Sequence, residues 1–378
     1  MARTRSGYVV SAMLIGAVVT GSSSAVSIET VLVGNPGNHG DPSDGDVVTP
    51  GVQNFGAVPY SYRMGKYEVT NAQYVEFLNA KDPTGANALA LYSDRMTTDS
   101  LGGIAINDSG VEGSKYDVKP GRGNNPVNFV TWVDAIRFVN WLHNGQGDGD
   151  PNNGAYTILG GGGLPYNPDD IHRLPGAKWF LPSEDEWYKA AYYDPRSTAQ
   201  GGPSSDDNYW SYPTQVDSFD EIYSDDPNNL NAPDPTSTGN FHKREGISGK
   251  GYDDGYAVSG DTAYPHEQNP FTNVGAYNLS RSYYGTFDQA GNVAEMTDTF
   301  HPPTVIGRVV RGGAWNSLGR IASRHRTFNL GAHGRSGYDT GFRVATIVPE
   351  PSVFAMISLL IRIMAGSRFI CRSDRRSG

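Results

Sequence analysis

Three stretches of the chain show the hydrophobic spacing of amphipathic helices, and each is preceded by a capping signal. The first is KYEVTNAQYVEFLNA, in which Tyr74, Phe77 and Leu78 fall on one helical face. Thr70, with Gln73 three residues later, forms the pattern of a capping box. We therefore expect a helix that begins after Thr70 and follows a short strand over residues 62–69.

Two later segments, NPVNFVTWVDAIRFVNWLH and FLPSEDEWYKAAYYD, repeat this arrangement. Thr131 and Asp134 form the capping pair of the first, and Ser183 and Glu186 that of the second. The residues expected to face inward are Ala135, Phe138, Val139 and Leu142 in the first helix, and Trp187, Ala190 and Ala191 in the second.

The rest of the chain shows little periodicity. Residues 26–55 resemble a flexible leader, and residues 195–280 are polar enough that a bound metal ion would be one way to hold them. Short strands are expected in GRVVRGGAW and TGFRVAT. Together with 47 glycines and 24 prolines, these patterns predict a single α+β domain over residues 56–347 with little regular secondary structure.

Composition and charge narrow the possible functions. The formal net charge is −10 with no concentrated basic face, which argues against a nucleic-acid partner. The abundant carboxylates suit calcium, which prefers oxygen ligands. Cys371 is the single cysteine of the 378 residues, so neither an internal disulfide nor a site built on two cysteines can form.

The N-terminal 25 residues have the order of a secretory signal peptide. Arg3 and Arg5 precede an apolar run from Tyr8 to Val19, and small residues follow as far as Ala25. We expect cleavage near Ala25 and export to the cell envelope or beyond.

The last 31 residues, 348–378, resemble the PEP-CTERM sorting tag of exported bacterial proteins. Pro349-Glu350-Pro351 precedes an apolar stretch, Val353 to Ala365, and a basic end. The resemblance implies transient membrane association and removal by an exosortase-type enzyme. Arg362 interrupts the apolar stretch, so a simple amphipathic tail is the alternative.

Five segments in order resemble the formylglycine-generating enzyme (sulfatase-modifying factor) family. They are KYEVTNAQYVEFLN, NPVNFVTWVDAIRFVNWL, FLPSEDEWYKAAYY, YGTFDQAGNVAEMTD and RVVRGGAWNS with SRHRT and GFRVA, and they cover Pro59 to Ile347. The resemblance implies a C-type-lectin-like fold. Within it, Trp132, Trp141 and Trp187 are expected in the core, and Arg343 is expected to pair with a buried carboxylate or carbonyl.

Structural calcium is the cofactor that this resemblance implies. The first cluster would combine the side chains of Asp288 and Glu295 with the carbonyls of Gly291 and Val293. The second would combine the side chains of Asn240 and Asp254 with the carbonyls of Phe241 and Tyr256. An ordinary Asp-Gly turn is the alternative for the second cluster.

The family oxidises a substrate cysteine to formylglycine at a copper ion held by two thiolates five residues apart. Those positions correspond to Ser317 and Ala322 here, and neither side chain offers the sulfur that Cu(I) prefers. Copper chemistry is therefore not expected. A related branch of the family holds non-haem iron with three histidines, some of which come from an added helical domain. The eight histidines of this chain show no such spacing. Whether the protein binds iron is left open by the sequence.

A ligand groove is expected around Trp315, Ser317, Arg324 and Arg326. If residues 324–326 are extended, both arginines lie on one side of the strand, where they could line the groove or pair with acids.

The sequence leaves two possible functions. One is an exported, calcium-stabilised, non-catalytic module that binds a peptide, a glycan or a cell-surface partner. The other is a metal-dependent oxidoreductase of the same superfamily acting on a thiol.

Overall fold

A computed structural model describes residues 25–42, 54–162, 166, 170–205, 207–228, 234–243, 255–263, 268–300, 307–318, 327–328 and 336–348. The proposed signal peptide and sorting tail lie outside these ranges. So do Asp254, Ala322, Arg324 and Arg326, so the structure gives no account of them. No helix among the described residues is both long and apolar enough to cross a bilayer.

The three predicted helices are present with the predicted caps. The described helices are α1 (Asn71–Lys81), α2 (Arg95–Thr98), α3 (Trp132–His143) and α4 (Glu184–Tyr192). Capping boxes begin α1, α3 and α4, because in each the cap side chain accepts from the third residue and that residue's side chain accepts from the cap backbone. Short 3-10 turns occur at Thr198–Gln200, Phe219–Glu221 and Pro235–Ser237.

Helix α3 is buried on every side, which the one-sided stripe did not predict. All of its residues except His143 are buried, including Arg137. Arg137 is accommodated because its guanidinium donates to the carbonyls of Leu89 and Gly162 and to Asn152 Oδ1. A helix that looked amphipathic is therefore the central helix of the core.

The described strands are short. They are β1 (Thr30–Val33), β2 (Tyr62–Gly65), β3 (Ile104–Ile106), β4 (Tyr116–Val118), β5 (Trp179–Phe180), β6 (Tyr223–Ser224), β7 (Thr238–Gly239), β8 (His242–Lys243), β9 (Gly255–Tyr256), β10 (Ala294–Phe300), β11 (Arg308–Arg311), β12 (Thr327–Phe328), β13 (Thr340–Gly341) and β14 (Ala345–Ile347). One antiparallel sheet has the order β1-β2-β14-β5. A second, mixed sheet has the order β12-β11-β10-β13, and three two-strand pairs complete the set.

The expectation of a flexible leader is wrong for its described part. Residues 30–33 form β1 and pair with residues 62–65 of β2, and the side chain of Val33 is buried. Upstream of the strand, the backbone of Val26 exchanges two hydrogen bonds with the side-chain amide of Gln146, at 2.6 and 2.8 Å. The Gly- and Asp-rich composition suggested disorder, but sheet pairing and these contacts hold the segment.

The polar stretch over residues 195–280 is tied down by the protein itself where it is described. Tyr212, Ile222, Phe241 and Ala290 form a small second hydrophobic cluster. Tyr277 Oη donates to the carbonyl of Asp225 at 2.8 Å, which joins two distant parts of the stretch. A metal ion is therefore not required to explain why these residues are ordered.

A buried ion pair joins the elements of the core. Arg343 donates from Nε and Nη2 to the two carboxylate oxygens of Glu295 on β10, each at 2.5 Å, and both side chains are fully buried. Arg343 also donates to the carbonyls of Gly65 and Phe287, while Trp187 Nε1 donates to Glu295 Oε2 at 2.7 Å. The predicted pairing of Arg343 with a buried acceptor is confirmed.

Removing this carboxylate should destabilise the protein strongly. Glu295→Gln removes the carboxylate that pairs directly with the buried Arg343 guanidinium, so we expect a loss of about 3–5 kcal/mol in the free energy of unfolding. The same substitution at Glu29, whose exposed carboxylate lies 3.2 Å from Lys66, should change it by less than about 1 kcal/mol. Chemical denaturation of both variants compares the two; equal losses would contradict the role given to the buried pair.

Stability should also depend on the protonation of Asp298. Burial raises the pKa of this carboxyl to about 7, although the guanidiniums of Arg308 and Arg173 act in the opposite direction. The folded state thus binds the proton more tightly than the unfolded chain, whose aspartates have a pKa of about 3.9. The resulting stabilisation is complete below about pH 4 and is lost as the pH rises through 7.

Between pH 4 and pH 8, the unfolding free energy of the wild type should therefore fall relative to that of Asp298→Asn, by about 2–4 kcal/mol. Asp148→Asn, in an exposed loop, is the control and should follow the wild type. A wild type and an Asp298→Asn variant with parallel pH profiles would show that Asp298 does not titrate as described.

Candidate functional site

The site is built on the loop that follows β11. Gly312 and Gly313 both have positive φ, +90° and +67°. A Cβ on Gly312 would lie 3.0 Å from the Gln289 carbonyl oxygen and 3.1 Å from the ring of Trp187. The glycine pair therefore lets the backbone turn closely over α4, which is the tight approach that the sequence predicted.

Ser317 stabilises the turn at the end of this loop. Its Oγ accepts from the Ala314 amide at 2.9 Å, and its own amide donates to the Ala314 carbonyl at 2.8 Å. Its carbonyl accepts from the His242 amide at 2.9 Å. At the position where the family would have its first thiolate, this chain has a hydroxyl that hydrogen-bonds to its own backbone.

Four aromatic side chains surround Trp315, namely those of His242, Tyr256, Phe271 and Tyr338. We call these four and Trp315 together the aromatic platform. The rings of His242 and Tyr256 are stacked 4.2 Å apart and nearly parallel, at 7°. Trp315 is buried, and its ring centroid lies 5.7 Å from Tyr256, 6.1 Å from Phe271 and 6.5 Å from Tyr338. His242, Tyr256 and Tyr338 are half-buried.

One end of the platform is polar. Asn316 donates from Nδ2 to Tyr338 Oη at 3.1 Å and to Asp339 Oδ2 at 3.2 Å. The pKa of Tyr338 is raised, first by burial and then by the Asp339 carboxylate. The platform therefore combines aromatic rings with an amide, a phenol that stays protonated and a carboxylate. This combination of groups suits the binding of a ligand.

The structure brings together only part of the groove predicted from sequence. Trp315 and Ser317 belong to one loop beside the platform, whereas Arg324 and Arg326 lie outside the described residues. His242, Tyr256 and Tyr338 were not predicted as groove residues. His242 and Tyr256 are cross-strand partners on β8 and β9, and Tyr338 comes from the segment before β13. Only the polar Tyr-rich composition hinted at them.

The first predicted calcium cluster is occupied by protein contacts. Both oxygens of Glu295 accept from Arg343, and one also accepts from Trp187. Asp288, at φ +60°, accepts from the Gly275 amide at 2.5 Å through Oδ2. Glu295 is therefore the counter-ion of Arg343 in this structure, and a calcium ion at this cluster stays a prediction.

The charge balance around this cluster is uneven. Glu68 and Glu295 are buried and Asp288 is half-buried, and all three carboxylates interact with the guanidinium of Arg343. Burial, with repulsion from Glu295, raises the pKa of Asp288 to about 6, and burial together with Asp288 and Glu295 raises the pKa of Glu68. Glu68, in KYEVT, was missed because nothing in its local sequence marks it as part of this cluster.

The second calcium cluster is partly described. The carbonyl of Asn240 accepts from the Asn292 amide at 2.7 Å, and Asn240 Nδ2 donates to the Pro270 carbonyl at 2.8 Å. The carbonyl of Phe241 accepts from Ser224 Oγ. Tyr256 lies in the β8–β9 pair, and Asp254 is outside the described residues. Within the described ranges, no three His, Cys, Asp or Glu side chains are arranged to hold a metal ion.

Known proteins provide the comparison. Solved structures of CarF, of Treponema denticola variable protein 1 and of PvdO from Pseudomonas aeruginosa are similar, at 19%, 19% and 16% sequence identity. The matches cover 85%, 85% and 84% of this chain and 99%, 96% and 94% of those chains, with TM-scores of 0.46, 0.44 and 0.41. No curated protein matches the chain significantly.

The family comparison is decisive. The model of the sulfatase-modifying factor enzyme 1-like domain matches residues 56–348, which is most of the chain. The mixed sheets and few helices agree with the predicted α+β class. The chain belongs to the sulfatase-modifying factor enzyme 1-like domain family, as its five ordered segments predicted.

Proposed function

We propose that this protein is an exported, non-catalytic member of its family that uses the aromatic platform to bind a peptide. The observation that carries the proposal is Ser317, a hydroxyl bonded to its own turn at the position of a copper-binding thiolate. Cys371 is the chain's single cysteine and lies in the proposed sorting tail, so it supplies no thiolate pair. A hard hydroxyl is a poor ligand for Cu(I).

The chemistry of the platform supports a peptide ligand. Half-buried rings above a buried tryptophan offer large contact area with little loss of side-chain entropy, as at protein-interaction hot spots. The hydroxyl of Tyr338, which accepts from Asn316 and keeps its own hydrogen, and the carboxylate of Asp339 add a donor and an acceptor at one end. These groups suit peptide carbonyl and amide groups. A groove that receives a cysteine peptide in catalytic relatives would here bind a peptide without oxidising it.

We also propose that the protein is exported from the cell. The basic, apolar and small-residue order of residues 1–25 and the Pro-Glu-Pro tail over residues 348–378 support delivery to the cell envelope or beyond. An exosortase-type enzyme would act on the tail after its transient association with the membrane. The ligand would then be a peptide segment of a partner at the cell surface.

A peptide array tests the binding site. The full-length protein should bind a subset of array peptides, and Tyr256→Ala should weaken that binding about tenfold, because it removes the ring stacked on His242 and packed near Trp315. Tyr166→Ala removes a highly exposed tyrosine outside the platform and should leave binding unchanged. Thermal melting of both variants separates lost binding from lost folding.

The same peptides test the absence of catalysis. Cysteine-containing binders incubated with the protein, copper and oxygen should be recovered unoxidised by mass spectrometry. Formylglycine in these peptides, or stoichiometric copper or iron in the purified protein, would overturn the non-catalytic proposal in favour of a metal-dependent oxidase. A protein that binds no array peptide would contradict the peptide-binding part.

Calcium is the remaining part of the proposal. The carboxylates of Glu68, Asp288 and Glu295 interact with one guanidinium, which leaves an excess of negative charge that a divalent cation could balance at Asp288. Calcium at a concentration a hundredfold above its Kd should then raise the free energy of unfolding by about 2.7 kcal/mol over that of the protein in EDTA.

Asp288→Gly tests this assignment because glycine tolerates the φ of +60° while removing the carboxylate. The calcium-dependent rise in melting temperature should disappear in Asp288→Gly and persist in Asp148→Gly, a change in an exposed loop. A wild-type melting temperature that does not respond to calcium would refute a structural calcium ion.

A further inference from the structure

An open cleft of about 610 Å³ lies away from the aromatic platform, and no residue is shared between the two. We call it the tyrosine cleft. The lining residues that matter are His39, Gly40, Asn54, Tyr193, Asp207 and Asn208. Its volume falls in the range of about 300–1,000 Å³ that is usual for small-molecule sites.

The walls of the cleft are held in place by hydrogen bonds beneath it. One wall contains the bridge Asp41↔Phe55 and the other the bridge Tyr193↔Tyr209. Tyr209 Oη connects the walls, since it donates to the carbonyl of His39 at 2.7 Å. Tyr188 Oη donates to Asp41 Oδ2 at 2.7 Å and supports the first wall from the core. The cleft is thus shaped by buried contacts rather than by loop packing alone.

Gly40 contributes to that shape. A Cβ at this position would lie 2.5 Å from the carbonyl oxygen of Asn54, closer than real Cβ atoms approach. The first wall can therefore close only with glycine here.

The polar groups lining the cleft have unused hydrogen-bonding capacity. Among the described residues, the imidazole of His39, the amide of Asn54 and the hydroxyl of Tyr193 have no hydrogen-bond partner. Asn208 is oriented by Nδ2, which donates to the carbonyls of Asp194 and Arg196 at 3.1 and 3.2 Å. Donors and acceptors of both kinds therefore surround the space without pairing among themselves.

The charge of the described lining is low, which points to a neutral ligand. Among the described lining residues, Asp207 supplies the carboxylate, and it already accepts from the Tyr209 amide at 2.9 Å. Asp194 nearby is paired with Arg196. The Lys189 ammonium lies 5.8 Å from the centroid of the Tyr193 ring but donates to the Asn35 carbonyl at 2.8 Å. Each of these charged groups already has a partner, so none of them is a dedicated counter-ion for a strongly charged ligand.

Tyr193 supplies the apolar surface. Its half-buried ring is held edge-on against Tyr209, with centroids 5.1 Å apart. A half-exposed ring beside unpaired amide, imidazole and hydroxyl groups is complementary to a saccharide, which presents hydroxyls around its rim and C–H groups on its faces. We propose that the tyrosine cleft binds a neutral sugar residue of a glycan.

Soluble trisaccharides test this proposal on the full-length protein. Maltotriose, cellotriose and triacetylchitotriose serve as probes in isothermal titration calorimetry, with saturation-transfer NMR for weak binding. At least one should bind the wild type. The double variant His39→Ala/Asn54→Ala should bind about tenfold more weakly, because it loses two hydrogen bonds to the sugar. Both side chains are exposed and unpaired among the described residues, so the fold should be unaffected.

The controls separate this site from the aromatic platform. Tyr166→Ala and Tyr256→Ala should bind the sugar as the wild type does, whereas Tyr193→Ala should lose binding. If none of the three probes binds the wild type, or if His39→Ala/Asn54→Ala binds unchanged, the proposal is wrong. Equal loss of sugar binding in Tyr256→Ala would place the sugar on the platform instead and would also overturn it.

Discussion

The buried ion pair between Glu295 and Arg343 is the interaction on which the rest of the structure depends. It connects β10 to the segment before β14, and through Trp187 it reaches α4. Arg343 also binds the carbonyl of Gly65 at the end of β2. Two sheets and one helix therefore meet at one desolvated pair. Breaking this pair is strongly destabilising because the buried guanidinium would lose its direct partner.

That pair also sets the charge balance of the core. Both oxygens of Glu295 accept from the guanidinium of Arg343, so Glu295 acts as a structural counter-ion in this structure. The negative charge that remains belongs to Glu68 and Asp288, which can be balanced by protons or by a cation. Loop segments near α4 are held by the same cluster, so charge balance here bears on the stability of the whole domain.

Sequence reasoning worked where structure is local. The capping boxes at Thr70, Thr131 and Ser183 marked three helix starts because the cap depends on residues only three positions apart. It failed where structure depends on distant pairing. Strand β1 needs β2 as its partner, and α3 is buried all round because other elements cover its second face. The local hydrophobic pattern predicts neither the pairing of β1 with β2 nor the complete burial of α3.

The candidate sites likewise contain residues that the local sequence identifies and residues that only the folded chain brings together. Ser317 could be identified from sequence because its position relative to Gly312 and Gly313 is local. The partners of Trp315, by contrast, are rings that come from three other segments of the chain, so the platform appears only once the chain is folded. The tyrosine cleft depends on distant contacts in the same way, such as the hydrogen bond from the Tyr209 hydroxyl to the carbonyl of His39.

The central claim is that this domain keeps its family's fold while lacking the sulfur that the family's copper chemistry needs. Competition for Cu(I) against a chromophoric chelator tests it most directly, in the wild type and in Ser317→Cys/Ala322→Cys. We predict that the wild type does not withdraw Cu(I) from the chelator and that the double variant does, because two thiolates five residues apart are restored. Stoichiometric, tight Cu(I) binding by the wild type would contradict the account.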